Sequence, residues 1–155
     1  MKAFQLVISN WLDSVGHHFG VPMTLEEDGH CVIPCKDNMC CIVDVPAETE
    51  VPSVFIYFPL LKLPSEHNLL QTVLSQALEL NLFGLLSGGC HIALDARSQY
   101  IVLSFASRIE ALDESKFHYV MNDMIRTSYS LRDRLNDIEE NFYNNKNTKK
   151  YSMQH

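Results

Sequence analysis

The sequence predicts a single α+β domain of order α-β-β-β-α-β-β-α, with a mostly antiparallel twisted sheet flanked by helices. Three observations carry that prediction. Three segments place apolar residues at helical spacing, several short runs are β-branched or aromatic, and hairpin-length turns separate most of those runs. The length of 155 residues suits one domain, and the 46% hydrophobic and 20% charged content is that of an ordinary globular chain.

The first helix follows from Phe4, Val7, Ile8, Trp11, Leu12 and Val15, whose spacing lies on one helical face, with Gln5, Ser9, Asn10 and Asp13 between them. Gly16 and Gly20 end it and Pro22 lies just beyond. An optional short strand, Met23 to Glu27, leads into the turn Glu27-Asp28-Gly29. His30 to Cys35 and Met39 to Val45 are strands joined by a Lys36-Asp37-Asn38 turn, and Val54 to Phe58 is a third between Pro52 and Pro59. Ser65 is expected to cap the second helix, which carries Leu69, Leu70, Val73, Leu74, Ala77, Leu78, Leu80, Leu82 and Phe83. Gly84 and Ser87-Gly88-Gly89 stop it. A hairpin pairs His91–Asp95 with Tyr100–Phe105 across Ala96 to Gln99. Asp113 caps the third helix, whose apolar face runs from Phe117 to Phe142. Residues 1–142 thus form the domain. The stretch 143–155, rich in Asn and Lys and without acidic residues, is expected to be a disordered basic tail.

Charge and motifs exclude several functions. The formal charge is −7, which repels nucleic-acid phosphates and anionic lipid. No apolar run is long enough to span a bilayer and no signal peptide is evident, so the sequence predicts neither nucleic-acid binding nor membrane insertion, and a cytoplasmic location. Five cysteines without framework spacing (31, 35, 40, 41 and 90) point to a reducing compartment. The glycine-rich stretch from Gly84 to His91 lacks the Lys-Ser/Thr pair of a phosphate loop. Cys40 and Cys41 point to opposite faces of one strand, a poor arrangement for zinc. No nucleophile stands in a catalytic motif. The expectation is therefore no enzyme, no catalytic residue, no metal and no cofactor.

The positive signal is excess apolar surface. Both faces of strands 39–45, 54–58 and 100–105 carry apolar side chains, and the second helix is apolar around most of its circumference. The surplus is absorbed either inside a sandwiched monomer or by a partner: a second copy, a client, or both.

The ordered combination of Ala77-Leu-Glu-Leu-Asn-Leu-Phe-Gly84, Gly88-Gly89-Cys-His-Ile-Ala-Leu-Asp95, Ile101-Val-Leu-Ser104 and Leu112-Asp113 with Phe117 resembles the class I chaperones of bacterial type III secretion, the Tir chaperone family. The resemblance spans roughly residues 1–140. It implies a homodimer in the bacterial cytoplasm that binds the N-terminal segment of a secreted effector, keeps it soluble, partly non-globular and export-competent without ATP hydrolysis, and delivers it to the secretion-system ATPase. Leu70, Leu74, Leu78, Ile92 and Leu94 then fall at the dimer contact, and Phe4, Trp11, Val32, Ile33, Val43, Phe55 and Tyr57 at the effector surface. The cysteine-rich strands and the basic tail depart from the family pattern. A dimeric scaffold or regulator of the same fold without an exported client, and a small Cys/His enzyme, are the alternatives.

Overall fold

The computed structural model describes residues 1–82 and 89–152, in the order α1 (Ala3–Phe19), β1 (His30–Pro34), β2 (Cys40–Asp44), β3 (Ser53–Lys62), α2 (His67–Leu82), β4 (His91–Asp95), β5 (Tyr100–Arg108), a 3-10 turn (Ile109–Ala111) and α3 (Glu114–Ser152). This is the α+β order expected. The strands form one antiparallel sheet, β1-β2-β3-β5-β4, so β5 returns between β3 and β4 and leaves β4 at an edge.

Strand alternation divides the sheet into two unlike faces. Cys31, Ile33, Cys41, Val43, Val54, Ile56, Phe58, Ile101 and Leu103 are buried on the inner face. The helices supply the rest of that core: Ile8, Leu12 and Val15 from α1, Leu69, Val73 and Ala77 from α2, and Phe117, Met121, Met124, Leu131 and Leu135 from α3. The spacing of each set is helical, which is why amphipathic segments of this kind pack on a sheet.

Local chemistry sets the ends and turns. Asp113 caps α3, its Oδ1 accepting the Lys116 N–H at 2.8 Å. Asp37 and Asn38, at φ 56° and 58°, form the tight β1–β2 hairpin turn, conformations that Asp and Asn tolerate. The middle of α3 holds that turn: the Tyr129 hydroxyl donates to the Lys36 carbonyl at 3.1 Å and Arg132 Nη1 to the Asp37 carbonyl at 3.0 Å.

Several expectations are corrected. Met23 to Glu27 joins no strand ladder; Met23 and Leu25 are buried, and the Leu25 N–H bonds Ser9 Oγ on α1 at 3.2 Å. β3 does not stop at Pro59 but runs to Lys62, with a register shift between Pro59 and Leu61. A residue without an N–H is accommodated where the ladder is already irregular. Glu66, not Ser65, caps α2, its carboxylate accepting the Leu69 N–H at 3.1 Å. Residues 143–152, expected to be disordered, continue α3 instead. No Gly or Pro follows Asp113 to interrupt the helix, Lys146 Nζ lies 5.9 Å from the Phe142 ring centre, and basic residues near a C-terminus suit the helix dipole. The expected helix stop at Gly84 and Ser87-Gly88 falls outside the described residues.

Gln5, whose polarity interrupts the apolar stripe of α1, is fully buried as a tie. Its Oε1 accepts the Lys2 N–H and its Nε2 donates to the Val45 carbonyl, both at 2.8 Å. Val45 N–H in turn bonds the Gly29 carbonyl at 2.8 Å. Gly29 has φ 87°, and a Cβ there would collide with the Val45 carbonyl and the Gln5 amide. Gln5→Ala, by leaving the Val45 carbonyl unsatisfied, is expected to lower stability by about 1–3 kcal/mol in urea denaturation. Gly29→Ala breaks the same junction and is expected to cost at least as much.

Candidate partner-binding surfaces

Among the described residues, two apolar surfaces stand out once the subunit has packed. The first lies along α2 and edge strand β4. Because Leu69, Val73 and Ala77 face the core, the neighbouring stripe Leu70, Leu74 and Leu78 turns outward. Leu70 and Leu74 are half-buried and Leu78 is 69% exposed. On β4, Ile92 is buried and Leu94 is 50% exposed. Leu74, Ala77, Leu78, Ile92, Leu94 and Ile101 line an apolar groove of about 270 Å³, with Ile92 at its floor. Four of the five expected dimer residues therefore meet in one place, and Leu70 continues their stripe one turn earlier on α2. Asn81 fastens the helix to the strand: its Nδ2 donates to the Ile92 carbonyl at 2.8 Å and its Oδ1 accepts the Ile92 N–H at 2.7 Å. These bonds occupy the backbone of Ile92, so this edge offers side chains more readily than strand pairing.

The second surface is the outer face of the sheet. Register aligns Val32, Ile42, Tyr57, Ser104 and His91 in one row across all five strands. A parallel row holds His30, Asp44, Phe55 and Ala106. Val32 is 53% and Phe55 38% exposed, while Ile42 and Tyr57 are half-buried. Burial, followed by the nearby Asp44 carboxylate, raises the Tyr57 phenol above its ordinary value.

The expected effector residues divide between these faces. Val32, Phe55 and Tyr57 come together on the outer face. Ile33 and Val43 point the other way and are buried in the core, so alternation removes them from any surface of the folded subunit. Phe4 and Trp11 sit half-buried on α1, with the Trp11 ring centre 5.6 Å from that of Phe117. Val7, read as part of the buried stripe of α1, is exposed together with Leu6. Leu6 was missed because it stands outside the helical spacing that marks the core. Ile42 was missed because both faces of β2 are apolar, leaving no contrast to read.

The cysteines point away from nucleophilic chemistry. Burial, as the first cause, raises all five thiols, Cys90 to about 11 with Asp123 adding to the effect. A thiolate nucleophile needs the opposite shift. Among the described residues no group of three or more His, Cys, Asp or Glu could hold a metal ion. Alkylation of the folded chain by iodoacetamide is expected to be on the order of a hundredfold slower at Cys90 than at an unburied thiol. Peptide mapping before and after denaturation checks this.

No helix among the described residues is long and apolar enough to cross a membrane. Residues 10–132 match the model of the Tir chaperone protein (CesT) family. No curated protein matches the chain. Among solved structures, the ExsC–ExsE complex contains a chain of similar fold, with TM-score 0.68 and 12% identity, covering 87% of this chain and 97% of the other. The HopA1–SchA chaperone–effector complex contains another, with TM-score 0.62 and 16% identity over 86% and 98%. A third is in the heterodimeric ExoU–SpcU complex from the type III secretion system of Pseudomonas aeruginosa, with TM-score 0.58 and 19% identity over 84% and 96%.

Proposed function

Because this chain belongs to the Tir chaperone protein (CesT) family, we propose that it is a type III secretion chaperone that acts as a homodimer on the N-terminal segment of a secreted effector. The observation that carries this reading is the pair of separate apolar surfaces. The groove of Leu74, Leu78, Ile92 and Leu94 is self-complementary in character and suits a two-fold contact. The outer row of Val32, Ile42, Tyr57 and the neighbouring Phe55 is left for an extended client, as are Leu6 and Val7 on α1, beside the half-buried Phe4 and Trp11. Ordering a client segment costs conformational entropy, and a broad apolar footprint offsets it without nucleotide hydrolysis. The chaperone works in the bacterial cytoplasm, holds its client partly unfolded and hands it to the secretion-system ATPase.

Co-expression with the product of a neighbouring reading frame tests the reading. The expected result is a soluble complex in which the client's N-terminal segment gains protection from proteolysis and the rest does not. A client whose solubility and proteolysis are the same with and without this chain contradicts it. A dimer that binds no such product favours the scaffold or regulator instead.

A further inference from the structure

We infer that the outer sheet face selects a client segment carrying an apolar residue and, two positions away, a lysine or arginine, with Asp44 as the residue that reads the cation. The inference rests on the chaperone reading above and adds the chemistry of the segment. Asp44 is half-exposed at the end of β2, in register with His30 on one side and Phe55 on the other. Aspartate is depleted from strands, and no cation lies within 4 Å of this carboxylate among the described residues. Apart from His30 across the β1–β2 ladder, its neighbours among the described residues are apolar: Ile42 is two residues earlier on the same face, and Tyr57 and Phe55 stand opposite on β3.

The spacing defines the ligand. Side chains two apart on an extended segment point the same way and lie about 6.5–7 Å apart, the separation of Ile42 and Asp44 along their own strand. A segment laid along β2 therefore sets an apolar side chain among Val32, Ile42 and Tyr57 while a cation reaches Asp44. A second copy is the poorer occupant. The two rows contain no lysine or arginine, and Arg108, one row further on the same face, is already paired with Glu110 at 3.4 Å, so a copy laid there brings another Asp44 against His30, His91 and an arginine that has its own carboxylate.

Three synthetic 12-residue peptides, identical except for a central Leu-x-Lys, Leu-x-Glu or Ser-x-Lys, test this by competition binding to the full chain. Leu-x-Lys is expected to bind tightest, by about fivefold over Leu-x-Glu, the scale of a partly exposed ion pair. Asp44→Lys should invert that preference, and Phe55→Ser should weaken all three. Glu48→Lys, the same charge change on an exposed loop, should leave the order unchanged. Equal binding of the Lys and Glu peptides, an order that Asp44→Lys leaves intact, inversion by Glu48→Lys as well, or no binding by any peptide overturns the inference. So does loss of the dimer in Phe55→Ser, which would assign the face to a second copy. Each of these outcomes leaves the co-expression result standing, so the two readings fail separately.

Discussion

Leu78→Glu is expected to yield a folded monomer. Leu78 is 69% exposed on the subunit, so the substitution removes little from the core. At a two-fold contact, however, the change occurs twice. Each lost leucine forfeits about 1.5–3 kcal/mol of burial, and each new carboxylate must be desolvated or the interface opened. The dimer dissociation constant should rise by roughly three orders of magnitude or more. Sedimentation equilibrium should report the monomer mass while the thermal melt retains a cooperative transition. A variant that stays dimeric with unchanged affinity would move the interface away from α2 and β4.

Phe117→Ala is expected to be among the most destabilising single changes. Its ring is fully buried where α3 meets α1, and Phe→Ala at such a site costs about 3–5 kcal/mol. For a domain of ordinary stability that is a third or more of the total. With an m-value of about 2 kcal/mol/M, the urea midpoint should fall by about 2 M with little change in slope. Trp11, the single tryptophan, provides a second readout because its ring contacts Phe117. Its emission in the folded variant should shift to the red as water reaches the space left behind. An unchanged midpoint and spectrum would contradict the packing of α1 on α3. The loss should also weaken client binding, since α1 presents Phe4, Leu6 and Val7 from the same platform.

Element order was legible because its signals are local. Helical spacing marked α1, α2 and α3, Asp113 marked the start of α3, and Lys36-Asp37-Asn38 and Ala96 to Gln99 marked two hairpins. What was not legible depends on contacts between distant segments. Alternation separates Val32 from Ile33 and Ile42 from Val43, but with both sets apolar it does not say which one meets the helices. The packing of α1, α2 and α3 on one face made that choice, and with it moved Ile33 and Val43 from the expected effector surface to the core. Gln5 read as an interruption because its value lies in bonds to Lys2 and to Val45, forty residues away. The length of α3 had a sequence signal, the absence of Gly and Pro after Asp113, which composition alone overrode.

The groove along α2 and β4, proposed for the dimer, was the more legible surface for a physical reason. A helix with a wide apolar arc buries one stripe against its own sheet, and the adjacent stripe is then displayed by geometry. Leu74 and Leu78 follow from Ala77 and Val73 without knowledge of the rest of the fold. The outer face has no comparable local rule, so its composition emerged only with the register of all five strands.

The two surfaces lie on different parts of the subunit, one at the β4 edge and one on the uncovered face, so both can be occupied at once. The molar mass of the purified chaperone–client complex, measured by light scattering, tests this most directly. The predicted mass is that of one client plus two copies of the 17.7 kDa chain. A complex with the mass of one client and one copy, stable on dilution, would contradict it.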